Sequence, residues 1–267
     1  MITKTLNDYF CKIGFEKEAR PDLETLKELQ EKHLNCFPFE NLNSFIHLPV
    51  LLDASSLHQK FLNQQRGGYC FEQNLFFMEV LQAIGFIVRP ILARVFNNDS
   101  RLGRTHQILL VDIDGVFYVS DTGYGGMGSP HPLLLNSTKS QETYLNNYRI
   151  EKKEFVYHLN ILIAEDWREM YSFDLVEYLY PDIIIANWYI STHCDSHFTN
   201  DLTLAKIDGT KRYGLKNNIL SIYCKGELIE KIVLKNTSEI METIKSYFKI
   251  SFEGLPGLKE RLQDIIN

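Results

Sequence analysis

Cys70 is the side chain whose sequence context best suits a nucleophile. It follows the run Arg-Gly-Gly-Tyr at residues 66–69, whose glycines allow backbone conformations barred to other residues, and it precedes an apolar segment that ends near Gly85. Apolar residues recur at helical spacing through this segment, which predicts a helix with Cys70 in its first turn. The positive end of a helix dipole favours an anion, and the thiolate is the reactive form of cysteine. Cys70 is therefore a candidate nucleophile, although most free cysteines are small buried hydrophobic residues.

A hairpin further along the chain supplies a candidate base and a group to orient it. Two strand-like runs, 105–113 and 116–121, are separated by Asp-Gly, a pair typical of two-residue hairpin turns. If Asp-Gly forms the loop, the register places His106 and Asp121 on one face as diagonal neighbours, roughly 7–8 Å apart at the backbone. A slip of one residue would place them on opposite faces. The turn therefore predicts that His106 and Asp121 lean together.

Cysteine, histidine and aspartate in this chain order indicate nucleophilic catalysis at an acyl carbonyl. The histidine would take the thiol proton, and the aspartate would fix the tautomer of the imidazole. Peptidases, transglutaminases and acyltransferases all use this arrangement, so it predicts the reaction type and leaves the substrate open. Taken singly, His106 could be a surface or satisfied core residue, and Asp121 could simply begin the next turn.

Composition limits the class of protein. The chain has 267 residues, 45% hydrophobic and 23% charged, which is enough for one large core or two to three smaller ones. Its formal net charge of −6 argues against a nucleic-acid surface. The N-terminus lacks the apolar core of a signal peptide, and the longest apolar run, at residues 183–186, is too short to span a membrane. Five scattered cysteines without a Cys-x-x-Cys pair fit reduced thiols, and together these features predict a cytoplasmic protein.

The periodicity changes once along the chain. Helical spacing dominates to about residue 85, with Asp22 as a plausible N-cap and a break at Pro38. A further short helix is predicted over residues 55–64. Strand-like segments begin at residue 86 and recur to residue 163, followed by a mixed stretch at 172–189, a hairpin at 219–234 and a helix at 238–248. The pattern predicts an α+β protein.

Three further features of the sequence bear on binding. Glu40 and Arg66 are the charges most readily paired near Cys70, although a solvated state for both is about equally favoured. The glycine-rich loop at 122–132 could cradle a phosphate or be a plain connection. His193, Cys194 and Asp195, with His197 four residues after His193, lack the further ligands and the general base that a zinc site needs, so we expect no metal.

Several motifs together resemble the arylamine N-acetyltransferase family. They are FPFENL at residues 37–42, RGGYCFEQN at 66–74, ARV at 93–95, TH at 105–106, D-x-GYGG at 121–126 and NWY-x-STH at 187–193. The resemblance implies a helical domain at 1–85 carrying the nucleophile, an antiparallel β-barrel-like domain at 86–190 carrying the histidine and aspartate, and an α/β lid at 191–267. It also implies a core like that of transglutaminases and cysteine proteases.

The resemblance further implies a ping-pong reaction. Acetyl would pass from acetyl-CoA to the cysteine, and then to an aromatic amine, a hydrazine or a hydroxylamine in xenobiotic metabolism. The residue roles carried over by position are a catalytic triad of Cys70, His106 and Asp121, an acceptor pocket of Phe39, Val95 and Tyr124, CoA contacts near Gly103, Thr105 and Gly126, and structural support from Glu40 and Arg66. Acetyl-CoA is a co-substrate here, and no metal is implied.

This chain departs from the family pattern in three places. Ser120 and Thr122 flank the aspartate where apolar residues are usual, and Cys194 stands where proline is common. We expect Ser120 to add a hydrogen bond near the triad. A thiol hydrolase, a transglutaminase-like enzyme or an amide synthase could use the same triad, and a non-catalytic binding protein could retain it. The physiological acceptor and the oligomeric state stay open.

Overall fold

Helices form the N-terminal part of the protein, as the sequence predicts. The computed structural model describes residues 3–97 and 100–266. The helices before the first long strand are α1 (Thr3–Ile13), α2 (Leu23–Cys36), α3 (Leu42–Phe45), α4 (Ala54–His58), continued by a π-helical turn (Gln59–Asn63), and α5 (Cys70–Ile84). Asp22 caps α2 by accepting from the Thr25 amide at 2.8 Å, and α5 ends at Gly85, whose φ of 107° suits glycine. Caps read from the sequence therefore set the start of α2 and the end of α5.

An eight-stranded antiparallel sheet follows, and it curves into a barrel-like form. Its spatial order is β5-β4-β3-β2-β9-β8-β7-β6. The strands are β2 (Ile87–Asn97), β3 (Ser100–Ile113), β4 (Val116–Ser120), β5 (Leu133–Leu134), β6 (Gln141–Glu142), β7 (Asn147–Lys153), β8 (Val156–Ile163) and β9 (Asp166–Phe173). The inward faces of these strands form one apolar core, and the other face of β2 and β3 packs on α5. The nucleophile's helix is therefore held against the strand that carries His106.

The C-terminal part combines helices with a second sheet. Its elements are α6 (Tyr180–Thr192), α7 (His197–Asn200), β10 (Thr203–Asp208), β11 (Lys211–Lys216), β12 (Ile219–Cys224), β13 (Glu227–Val233), α8 (Thr237–Tyr247) and α9 (Leu258–Gln263). The sheet has the order β1-β10-β11-β12-β13, where β1 (Phe39–Glu40) comes from the N-terminal part. The α+β prediction is confirmed, whereas β1, β5, β6, β9, β10 and β11 were not predicted. The domain boundaries stay a prediction, because α6 crosses residue 190 and β1 joins the C-terminal sheet.

The hairpin between β3 and β4 has the predicted register. Ile113 pairs with Val116 and Asp112 with Phe117. Both turn residues, Asp114 and Gly115, have positive φ, at 53° and 83°, as a two-residue turn that matches the strand twist requires. None of the helices in residues 3–97 and 100–266 is long and apolar enough to cross a membrane.

Candidate active site

Cys70 is the first residue of α5, and its side chain is 3% exposed. The preceding loop lies directly against the chain at Pro38. A β-carbon on Gly67 would lie 1.7 Å from the Pro38 carbonyl oxygen, and the Gly68 carbonyl accepts from the Glu40 amide at 3.1 Å. Neither glycine has a positive φ, so the conformational reason given from the sequence was wrong. Gly67 is needed because the backbone at Pro38 lies too close for a side chain, and Gly68 because a β-carbon there would lie 2.7 Å from the Glu72 side chain.

His106 and Asp121 lie in contact beside Cys70. Nε2 of His106 is 2.8 Å from Oδ2 of Asp121, which leaves Nδ1 for the contact with Cys70. Burial alone would lower the pKa of His106, but the Asp121 carboxylate and hydrogen bonds to Asp121 and Cys70 outweigh it and raise the pKa to about 10. Burial raises the pKa of Asp121, but the His106 ring and donors from Asn74 and Gly123 hold it below its usual value. His106 therefore carries a proton at neutral pH, beside an ionised aspartate.

Asn74 joins the helix of the nucleophile to the aspartate. Its amide nitrogen donates to Oδ1 of Asp121 at 3.1 Å and to the Gln107 carbonyl at 2.6 Å. Its amide oxygen accepts from the backbone and hydroxyl of Thr122, at 2.9 and 3.1 Å. All of these groups are buried. Asn74 therefore fixes the distance between α5 and the end of β4, although the sequence analysis gave it no role.

The sequence offered a signal for Asn74 that was not used. Asn74 follows Cys70 by four residues, so the two share a face of the helix. Of the two unusual residues around the aspartate, Thr122 makes the contact near the triad. Ser120 instead donates to Gln30 of α2 at 2.7 Å, so the expectation for Ser120 was wrong. The side chain of Ser120 points away from the triad because neighbouring strand residues face opposite sides of the sheet.

A buried charge network supports the loop before Cys70. Nη2 of Arg66 lies 2.7 Å from Oε1 of Glu40, and Lys60 bridges Glu40 at 3.2 Å and Glu72 at 2.6 Å. Burial favours protonation of Glu40, but Arg66 and Lys60 outweigh it and lower its pKa; burial raises the pKa of Glu72. The pairing of Glu40 with Arg66 is confirmed. Lys60 and Glu72 were missed, since nothing local in the sequence marks a lysine at this distance as buried.

One cavity of about 520 Å³ contains Cys70 and His106 in its wall, with Asp121 buried behind the histidine. The residues predicted to contact substrate or CoA all line the same cavity: Phe39, Val95, Gly103, Thr105, Tyr124 and Gly126. The structure therefore brings the predicted site residues together, while their division between acceptor and CoA stays a prediction.

Aromatic rings form much of the wall around His106. The ring centroid of Tyr124 lies 5.5 Å from that of His106, and Tyr171 packs on the imidazole at 5.1 Å. The C-terminal part closes the opposite side with Tyr189, His197 and Phe198, none of which was predicted. The His197 ring packs on Phe198 with centroids 4.0 Å apart, and burial lowers the pKa of His197. The cavity is therefore lined largely by flat apolar surfaces.

The possible metal ligands near residue 194 lie at the surface. Ligand atoms of His193, Cys194 and Asp195 are all within 4.8 Å of one another, and Cys194 and Asp195 are exposed. Three ligand groups, two of them exposed, are fewer than the four that zinc takes in structural sites. The loop at 122–132 is an irregular connection whose Gly125 packs over the Phe39 ring.

Comparison with known proteins extends these observations. The sequence model of the family described as N-acetyltransferase matches residues 22–255. The arylamine N-acetyltransferase of Mycolicibacterium smegmatis is 31% identical to this chain, with 98% of each chain covered. The protein of the same name from Escherichia coli (strain K12) is 32% identical, covering 94% of this chain and 91% of its own length.

Solved structures agree with the sequence comparisons. The M. smegmatis arylamine N-acetyltransferase structure has a TM-score of 0.93 at 30% identity, covering 98% of each chain. The Mycobacterium marinum arylamine N-acetyltransferase in complex with CoA has a TM-score of 0.92 at 29% identity, covering 98% of this chain and 100% of its own. The shared fold and the family match define an N-acetyltransferase, an enzyme that transfers acyl groups. Within that class, the chain belongs to the arylamine N-acetyltransferase family, as the motifs predicted.

Proposed function

We propose that this protein transfers acetyl from acetyl-CoA to the nitrogen of arylamines or arylhydrazines, or to the oxygen of N-hydroxyarylamines, through an acetyl-cysteine at Cys70. The observation that carries this proposal is the meeting of Cys70 and His106 in one cavity, with Asp121 bonded to the far side of the imidazole. A relative from Salmonella typhimurium, 32% identical, is named for both N-acetylation of arylamines and O-acetylation of N-hydroxyarylamines, which supports both acceptor classes.

The first half-reaction loads the cysteine. His106 already holds the proton of the Cys70 thiol, and the sulfur attacks the carbonyl carbon of acetyl-CoA. The carbon–sulfur bond to CoA then breaks, and His106 returns the proton to the departing CoA thiolate. The first amides of a helix have no acceptor within the helix, so the start of α5 can donate to the oxyanion that forms during the attack.

The second half-reaction unloads the cysteine onto the acceptor. The acceptor nitrogen or oxygen attacks the thioester carbonyl and gives its proton to His106. The carbon–sulfur bond to Cys70 then breaks, and the thiolate is restored beside a protonated imidazole. The raised pKa of His106 suits this exchange. The protonated ring stabilises the Cys70 thiolate before the first attack and again when the carbon–sulfur bond to Cys70 breaks.

The shape of the cavity favours a flat acceptor. We assign the acceptor to the wall formed by Phe39, Val95 and Tyr124, because aromatic faces pack well against an aryl ring. We assign CoA to the side of Gly103, Thr105 and Gly126. A second groove of about 650 Å³ shares Gly103 and Thr105 with the catalytic cavity and so extends this side outward. Xenobiotic metabolism is the proposed role. All five cysteines are free thiols, which supports a reducing, cytoplasmic setting for the nucleophile.

The test is to detect the intermediate directly. Incubation with acetyl-CoA alone should add about 42 Da, the mass expected for one acetyl group, to the peptide containing Cys70. A second incubation with an aniline or a hydrazine should remove that mass and release the acetylated acceptor. The matched control is Cys194→Ser, which removes an exposed thiol near the cavity and should leave the adduct intact.

Three results would contradict the proposal. An adduct on another cysteine would move the nucleophile elsewhere. Loss of the adduct to water at the same rate with and without an amine would indicate a thiol hydrolase. An absence of CoA release with every arylamine and hydrazine tested would favour a transglutaminase-like or amide-synthase reaction with another acyl donor.

A further inference from the structure

A second cleft lies beside the loop that precedes Cys70, and Gln65 and Arg66 of that loop line it. It encloses about 800 Å³ between the ends of α1 and α2 and the C-terminal segment formed by α8 and the residues that follow it. Residues 37 and 38 line this cleft, whereas Phe39 lines the catalytic cavity, so one stretch of chain separates the two spaces. A volume of this size is typical of small-molecule sites, which span roughly 300–1,000 Å³.

The cleft is lined by three lysines from three separate parts of the chain. Lys12 belongs to the last turn of α1, Lys245 to the last turn of α8, and Lys249 to the segment after α8. None of the three has an ion-pair partner among the residues that the structure describes. Among the described residues, Glu242 is the only carboxylate in the lining, and it lies outside ion-pair distance of all three lysines. This local excess of positive charge stands out in a chain with a net charge of −6.

A fourth lysine, Lys206, lies close enough to Lys249 to add to this positive charge. Lys206 is half-buried; burial lowers its pKa, and Lys249 lowers it further by repulsion, against the opposing effects of Asp208 and Cys36. Cys36 also lines the cleft. Burial raises the pKa of its thiol, and the charges of Lys12 and Lys206 both oppose that rise. Like charges brought together from different elements repel one another, and a bound anion relieves that repulsion. A cation in the last turn of a helix also offsets the helix dipole, but Lys249 lies beyond α8 and Lys206 on β10.

We infer that this cleft binds a phosphorylated small molecule, with Lys12, Lys245 and Lys249 as the groups that contact its phosphates. Lysine ammonium groups act as point charges toward phosphate and need no fixed approach angle, which suits three flexible side chains around an open cleft. A single phosphate carries about 1.5–2 negative charges at neutral pH, which is less than the charge of the three ammonium groups that line the cleft. The ligand is therefore a diphosphate or a nucleotide polyphosphate rather than a single phosphate.

The experiment measures binding of inorganic pyrophosphate and of ATP to the full chain by calorimetry, without any turnover. The test variant is Lys245→Gln combined with Lys249→Gln. The matched control is Lys231→Gln combined with Lys259→Gln, which removes the same number of exposed charges away from the cleft. We expect the dissociation constant for pyrophosphate to rise about tenfold or more in the test variant and to stay within about twofold in the control. Unchanged melting temperatures would show that both variants are folded.

The results separate the proposal from its alternatives. No binding of pyrophosphate or ATP by the wild type would overturn it, as would binding that survives in the test variant. An equal loss in both variants would attribute binding to net charge and would also overturn it. If the lysine pair is required, the KM for acetyl-CoA identifies the source of the phosphates: a raised KM assigns the cleft to the phosphates of CoA, and an unchanged KM assigns it to a separate ligand. Because binding is measured without acetyl transfer, failure here leaves the proposed function standing.

Discussion

Nε2 of His106 lies 2.8 Å from Oδ2 of Asp121, and both side chains are more than nine-tenths buried. The carboxylate is the main reason that the buried imidazole holds a proton. Without it, the low dielectric around the ring would favour the neutral form. This one contact therefore sets both the orientation and the charge of the proposed base.

Replacing that carboxylate should remove most of the activity. Asp121→Asn keeps the shape of the side chain but removes the charge, and we expect kcat to fall by about 10²–10⁴-fold, the range that a positioned general base contributes. The KM for the acceptor should change much less. Steady-state release of CoA thiol measures both constants. A variant that retains more than about a third of wild-type kcat would show that Asp121 does not hold the base.

The same pair should make stability depend on pH. The folded pKa of His106, about 10, is above its unfolded value of 6.5, so its stabilising contribution is complete below pH 6.5 and is lost as the pH rises toward 10. The pKa of Asp121 is below its unfolded value of 3.8, so its contribution is present above that pH and is lost on further acidification. The difference in unfolding free energy between wild type and Asp121→Asn should therefore be largest at about pH 4–6.5 and shrink toward pH 10. Urea denaturation at several pH values measures it, and a difference that grows with pH would contradict the assignment.

Asn74 should act as a positioning residue. Asn74→Leu leaves the Gln107 carbonyl and the Thr122 amide without their buried partners, at a cost of about 1–3 kcal/mol for each group. We also expect a fall in kcat with a shifted pH profile, because Asp121 loses a donor that lowers its pKa. Urea denaturation and pH–rate profiles measure the two effects. Asn63→Leu is the control, since its amide donates to Gln59 at the surface and to no other group in the part of the chain that the structure describes. A loss of stability with an unchanged pH profile would leave Asn74 with a purely structural role.

The buried charge network should be sensitive to the loss of one member. Arg66→Leu leaves the fully buried Glu40 with Lys60 as its remaining charged partner, and breaking a buried pair in this way typically costs about 3–5 kcal/mol. The variant should lose further stability above the usual pKa of a glutamate, where Glu40 must be ionised. Arg20→Leu removes an exposed pair with Glu18 and should change stability little. Equal effects of the two substitutions would contradict a buried network.

A methyl group at Gly123 should disturb the nucleophile directly. Its β-carbon would lie 2.5 Å from the Cys70 α-carbon and 2.9 Å from the Cys70 carbonyl oxygen, so the start of α5 must move. We expect Gly123→Ala to cost about 1–3 kcal/mol, as overpacking usually does, and to lower kcat. Gly126→Ala is the matched control for stability, because its β-carbon would meet nothing within 4 Å. Thermal denaturation and CoA release compare the two, and a fully active Gly123→Ala would contradict the packing.

Local patterns account for what the sequence predicted well. The helix that begins at Cys70 follows from apolar spacing and a terminal glycine. The register of His106 and Asp121 follows from a two-residue turn. In both cases the determining residues lie close together in the sequence, so the pattern is readable without any tertiary contact. The order of the triad along the chain was readable for the same reason.

The tertiary structure decided the features that join distant segments. Gly67 is required by the backbone at Pro38 rather than by its own φ, and Lys60 is buried because Glu40 and Glu72 meet there. Charged residues recur within β9, at 166, 168 and 169, and within β11, at 211, 212 and 216, and they obscure the apolar alternation that is typical of a strand. The far wall of the catalytic cavity, with Phe198, comes from residues more than a hundred positions beyond Cys70. Sequence spacing specifies turns and helix faces, but only the packing of whole elements against one another decides which remote side chains share a cavity.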